Sequence, residues 1–141
     1  MGKINVGRLI LGGIVAGIVG DLLDFPIDGV WLANRWTVGL RALGHPGFGT
    51  SQIVWFNLLG LVTGLVAIWI YAGIRPRFGA GVKTAIYAGV ATWILGFLVP
   101  NAAFMYVVGL FSKHLTLYTT IGNLVECVVG AIAGAALYKE D

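Results

Sequence analysis

Four apolar stretches, at about residues 7–31, 52–74, 82–108 and 117–138, dominate the chain. Each reaches the roughly 20 residues that a helix needs to cross a hydrocarbon core about 30 Å thick. Lipid offers backbone amides no hydrogen-bonding partner, so such stretches must be helical, and the folding problem reduces to packing four helices. Only 11% of residues are charged and 58% are hydrophobic, with mean hydropathy +0.90, against a charged fraction of about 25% in soluble domains. Of the 141 residues almost none remain for a soluble domain. The expected fold is all-α: one transmembrane domain over residues 1–141, a four-helix bundle running up-down-up-down.

The formal net charge of +3 does not indicate nucleic acid, because the nine Lys and Arg residues lie singly or in pairs near helix ends, where lipid headgroups account for them. With four spans, Lys3, Arg8, Arg75, Arg77, Lys83 and Lys139 fall on one side, and Arg35, Arg41 and Lys113 on the other. Six against three places both termini in the cytoplasm. The N-terminus, with Lys3 and Arg8 before an apolar run, also has the outline of a signal peptide. The run continues past Asp21 without an Ala-x-Ala cleavage site, so a retained first span is expected. The single cysteine, Cys127, excludes an intrachain disulfide and a Cys-x-x-Cys site, and reads as buried filler.

The second and third spans are joined by Gly73-Ile74-Arg75-Pro76-Arg77-Phe78-Gly79-Ala80-Gly81, which reads as a short basic turn with Pro and Gly as helix breakers. The outer connection, residues 32–51, is longer. Leu32, Trp36, Leu40 and Leu43 recur at near-helical spacing there. They predict either a short amphipathic helix on the outer surface or a loop with interfacial Trp anchors. Trp31, Trp36, Trp55, Trp69 and Tyr71 fall near membrane boundaries, whereas Trp93 is deep and reads as a packing residue, ahead of the alternative of a cation–π surface lining the cavity.

A weak internal repeat aligns Ile14-Val15-Ala16-Gly17-Ile18 with Ile86-Tyr87-Ala88-Gly89-Val90, and Asn57-Leu58-Leu59 with Asn123-Leu124-Val125. If genuine, it makes the bundle two tandem hairpins related by an axis along the membrane normal. Gly13-x-x-x-Gly17, Gly60-x-x-x-Gly64 and Gly130-x-x-x-Gly134 mark faces where helix backbones approach closely. The third span lacks this motif and carries Pro100-Asn101, which predicts a kink or a loosened backbone in its outer half.

The costly residues are the acids. A carboxylate near the bilayer centre costs at least about 2.5–3.5 kcal/mol on insertion scales, so it faces a partner, a cavity or a cation. At about 100° per residue, Asp21, Asp24 and Asp28 share an arc of roughly 60° with Gly17, and Asn123, Glu126, Gly130 and Gly134 one of about 80°. Asn57 similarly shares a face with Gly60 and Gly64. Counted inward at about 1.5 Å per residue, Asp24, Asn57, Asn101 and Asn123 form one layer, with Asp21 and Glu126 deeper. Asp28, beside Gly29, reads as a solvated helix-end residue. The candidate ligand-binding residues are therefore Asp21, Asp24, Glu126, Asn57, Asn101 and Asn123, around an acidic cavity opening outward. The competing reading of the asparagines is interhelical hydrogen bonding alone.

Carboxylates and amide carbonyls are hard oxygen ligands suited to Mg²⁺, Ca²⁺, Mn²⁺ or a shared proton, whereas Zn²⁺ and Cu⁺ favour His or Cys. His45 and His114 lie on the same outer side, either as a lid over the cavity or as plain interfacial residues. No His-x-x-x-His, Glu-x-x-His, Gly-x-Ser-x-Gly, phosphate loop or dinucleotide fingerprint occurs, and no cofactor is expected.

Met1-Gly2-Lys3-Ile4-Asn5-Val6-Gly7-Arg8 with Ile10-Leu11-Gly12-Gly13, then Tyr71-Ala72 and Ile74-Arg75-Pro76-Arg77-Phe78-Gly79, resembles a group of small bacterial membrane proteins with no assigned function. Those proteins also carry an acid in the first span and a run like Leu124-Val125-Glu126 in the last. The resemblance implies a four-helix protein of the bacterial inner membrane and no activity.

Three functions fit these residues. The first is binding or translocation of a small cation or proton, with a homodimer expected for transport. A second is a non-catalytic subunit of a larger membrane complex, using the glycine faces and outer loop. The third and weakest is an intramembrane enzyme with paired carboxylates as acid and base.

Overall fold

The computed structural model describes residues 3–140. Helix α1 runs Val6–Asp24 and continues as a π-helix over Phe25–Trp31, and α2 is a short helix, Ala33–Ala42. Helix α3 spans Thr50–Phe78. Helix α4 starts as Val82–Trp93 and reaches Val107 through π-helical segments Ile94–Leu98 and Asn101–Val107. Helix α5 spans Lys113–Ala135. The spans Val6–Trp31, Thr50–Phe78, Val82–Val107 and Lys113–Ala135 are long and apolar enough to cross a membrane. Their outward faces are what only lipid tolerates: Leu22 and Leu95, among many large apolar residues, are 68% and 72% exposed. By length and hydropathy the chain is a multi-pass membrane protein.

Sequence details set the helix ends. The Asn5 carboxamide accepts from the Arg8 amide at 2.9 Å, and the Ser112 hydroxyl from the Leu115 amide at 3.2 Å. The Ser112 cap starts α5 four residues ahead of the sequence-based boundary at 117. One correction concerns Pro76, expected to break the helix. Helix α3 passes through it to Phe78, because proline's fixed φ suits a helix and the cost is one backbone bond near the end. The turn is instead made by Gly79 and Gly81, at φ 85° and 130°. There the Tyr71 hydroxyl accepts from the Gly81 amide at 3.1 Å, and Thr84 Oγ1 donates to the Gly79 carbonyl at 2.7 Å.

Glycine brings the helices together. A Cβ at Gly13 would lie 2.7 Å from Leu65 Cα, and one at Gly17 2.6 Å from Leu61 Cα, so α1 and α3 run antiparallel in near-backbone contact. A Cβ at Gly12 would meet the Gly134 carbonyl, and one at Gly130 the Ala16 carbonyl, both at 2.6 Å, which sets α1 antiparallel to α5. The third span also has its small residue, missed because it stands alone. A Cβ at Gly89 would sit 2.8 Å from Val128 Cα, joining α4 to α5. Consecutive spans are therefore antiparallel neighbours. Gly17 stands opposite Leu61, and Gly89 opposite Val128.

Two apolar clusters close the ends of the bundle. Ile68, Tyr71, Ala72, Ala85, Ala88, Ala135 and Tyr138 are buried at the end where the chain starts and finishes. Leu32, Met105 and Leu115, with Trp36 and Phe111 against them, fill the end covered by α2. By register, the intramembrane acids lie between these clusters.

A candidate acidic centre between two apolar plugs

Helix α1 brings three carboxylates inward. The widened i to i+5 pattern past Asp24, seen in the 2.9 Å bond from the Leu32 amide to the Ile27 carbonyl, turns the following residues away from the α-helical phase. This overturns the reading of Asp28 as a solvated residue. Asp28 Oδ1 accepts from Trp36 Nε1 at 2.6 Å and from Thr119 Oγ1 at 2.9 Å, and its Oδ2 is buried without a partner. The signals in the sequence were an indole eight residues later and a threonine on the last span. Neither is recognisable until the helices are packed.

Carboxylate oxygens of Asp24, Asp28 and Glu126 all lie within 4.8 Å of one another. Glu126 is only 8% exposed. Its Oε2 accepts from Asn123 Nδ2 at 3.2 Å, while Oε1 is buried without a hydrogen bond. Among the described residues the ion pair lies elsewhere, Arg75 to Glu140 at 3.4 Å, so no base neutralises the three acids. At an effective dielectric of about 20, two unit charges within 4.8 Å repel by about 3.5 kcal/mol or more, and three fully ionised groups make three such pairs. A bound cation or protons must offset that repulsion.

Asp21 lies apart from this trio. Its carboxylate occupies the space that a side chain at residue 60 would fill, in direct contact with that glycine's position. It also lines a cavity of about 50 Å³ shared by α1, α3, α4 and α5, whose wall includes Thr63, Thr92, Phe97, Glu126 and Cys127. Glu126 therefore belongs both to the trio and to the cavity.

The asparagines divide. Asn101 Nδ2 donates to Thr120 Oγ1 at 3.0 Å and to Asn123 Oδ1 at 3.4 Å, and Asn123 passes its own amide hydrogen to Glu126. This chain of bonds crosses from α4 to α5 and ends on a carboxylate. Asn57 does not join it: the residue is exposed and donates to the Ile53 carbonyl of its own helix at 2.7 Å. Residues 50–58 of α3 are exposed along their length, so no neighbouring helix covers Asn57.

The π-helical segments on either side of Pro100 are the loosened backbone that was one of the two forms expected there, and they carry Asn101 to the Thr120 hydroxyl. Trp93 Nε1 donates to the Thr120 carbonyl at 2.8 Å, consistent with a packing role. Neither histidine joins the acids. His45 Nδ1 accepts from the Gly47 amide at 3.2 Å, and His114 stacks on Tyr118 with centroids 6.2 Å apart. Helix α2, one of the two forms expected for the outer connection, holds the Trp36 side chain over Asp28.

Oxygen donors that converge this closely suit a hard cation. Ligand distances of about 2.1–2.5 Å put opposite oxygens about 4–5 Å apart, which brackets the observed 4.8 Å limit. No family model, curated protein or solved structure matches this chain.

Proposed function

We propose that this protein binds a small cation, or protons in its place, at an acidic centre inside the bilayer, and passes it toward the interior of the bundle. One observation carries the reading: Asp24, Asp28 and Glu126 converge within 4.8 Å with two carboxylate oxygens buried and unpartnered. Keeping three acids in that position for packing alone would be costly, and neutral Asn or Gln would supply the same hydrogen bonds. The distribution of Lys and Arg supports cytoplasmic termini, which would turn the α2 end of the bundle, and the acids nearest it, away from the cytoplasm.

The alternative reading, a non-catalytic subunit of a larger complex, leaned on the glycine faces. Gly12, Gly13, Gly17, Gly64, Gly130 and Gly134 are all consumed in contacts within this bundle, which weighs against their serving a partner.

The test is thermal unfolding of the full chain in mild detergent with and without Mg²⁺, Ca²⁺ or Mn²⁺. Wild-type protein should melt higher with at least one cation, and Asp28→Asn combined with Glu126→Gln should remove the increment while helicity is kept. A melting temperature indifferent to every cation and to pH would sink the proposal.

A further inference from the structure

We propose that the centre holds two hard divalent cations, with the Glu126 carboxylate shared between an outer station at Asp24 and Asp28 and an inner station at Asp21. The inference deepens the cation-binding reading and rests on it. Three observations lead to it.

Glu126 belongs to both places: one of its oxygens stands within 4.8 Å of the Asp24 and Asp28 oxygens, and its side chain lines the cavity that Asp21 also lines. It is buried, with Oε1 unpartnered. A bridging carboxylate between metal ions about 3.5–4 Å apart is the ordinary way two such stations share a ligand.

The cavity wall is mostly apolar, and its few polar groups accept hydrogen bonds and scarcely donate them. Thr63 Oγ1 gives its hydrogen to the Leu59 carbonyl at 3.0 Å, and Thr92 Oγ1 to the Ala88 carbonyl at 2.9 Å, so their free lone pairs remain for the cavity. Beyond these, the polar lining is the two carboxylates and the weak Cys127 thiol. At about 10–15 Å³ per water, the 50 Å³ volume takes a cation with about three waters completing its shell.

The charges close. Asp21, Asp24, Asp28 and Glu126 carry four negative charges when ionised, and among the described residues no base pairs with them. Two divalent cations neutralise all four, and no net charge remains in the low-dielectric interior. A single cation leaves the bundle with two uncompensated charges. Donors that are all oxygen select Mn²⁺, Mg²⁺ or Ca²⁺ over softer metals.

Mn²⁺ is the probe, titrated into the purified full chain in nanodiscs and read by electron paramagnetic resonance. Wild-type protein should bind two Mn²⁺ per chain, with the broadened spectrum of a spin-coupled pair at saturation. Asp21→Asn should bind one, with the resolved six-line spectrum of an isolated ion. Gly60→Ala, which adds no charge and displaces only the Asp21 carboxylate, should match it and serves if the first variant misfolds. One Mn²⁺ in the wild type, or two in both variants, overturns the inner station and leaves the outer one standing. No Mn²⁺ in the wild type overturns the two-cation inference, and a melting temperature indifferent also to Mg²⁺, Ca²⁺ and pH overturns both readings together.

Discussion

Two alanine substitutions one helical turn apart on α3 should part company. At Gly60 an added Cβ meets nothing but the Asp21 side chain within close range, with Cγ at 2.8 Å and Oδ2 at 3.1 Å besides the touching Oδ1. The carboxylate is the free end of a short side chain, and swinging it off its rotamer costs about 0.5–1.5 kcal/mol. Replacing a mid-helix glycine by alanine returns up to about 1 kcal/mol. Gly60→Ala should therefore leave stability within about 0.5 kcal/mol of wild type.

At Gly64 the same methyl meets backbone: it would touch the Gly13 carbonyl and Gly17 amide nitrogen, and lie 2.7 Å from Gly17 Cα. No rotamer change relieves this, so α1 and α3 must separate by about 1 Å, at an overpacking cost of about 1–3 kcal/mol or more. Moving contacting atoms apart by that much forfeits a quarter to a half of each attraction, and lipid adds no hydrophobic drive to hold the helices together. A net loss of about 1–2 kcal/mol is expected for Gly64→Ala. Reversible unfolding by SDS titration, with cation-dependent melting on the same samples, reads both effects. Gly60→Ala should keep stability while losing only the inner station's share of the cation-dependent stabilisation, and Gly64→Ala should lose stability while keeping more of that stabilisation. Equal destabilisation by the two would refute the placement of Asp21 against Gly60.

Glu126→Gln should raise the stability of the cation-free protein by about 1–4 kcal/mol, since it removes one charge from the trio and keeps an acceptor for Asn123; a lower SDS midpoint would contradict this. Trp36→Phe keeps ring packing near Phe111 but removes the 2.6 Å bond to Asp28, and should cost about 1.5–3 kcal/mol in the same titration. Asn123→Ala should cost about 0.6–1.7 kcal/mol, as it strips the amide donor from Glu126, whereas Asn57→Ala should stay within about 0.5 kcal/mol. Equal effects at the two asparagines would mean that the Asn101 to Glu126 chain of bonds is not formed in the membrane.

The four spans were legible because length and hydropathy act directly on a chain in lipid, residue by residue. The glycine faces of α1, α3 and α5 were legible for a related reason. Close approach needs small residues four apart, and little else in lipid rewards that spacing. Asp24 and Glu126 could be brought together from the sequence because the α-helical phase holds as far as Asp24 on α1 and throughout α5. Beyond Asp24 the backbone changes its period, and an angle computed at 100° per residue no longer says where Asp28 points.

Asn57 failed differently. Its angle around α3, shared with Gly60 and Gly64, is that of the packing face, yet a face is an interior only where a neighbour stands beside it. Gly64 has Gly17 against it and Gly60 has Asp21, whereas Asn57, one turn further, is exposed and bonds only to its own helix. The misreading at Asp28 has another origin, the π-helical turn that follows Asp24. Past that turn Asp28 accepts from Thr119 of α5 and comes within 4.8 Å of Glu126. A backbone irregularity of one widened turn is therefore what converts a row of aspartates along a single helix into a centre shared by two.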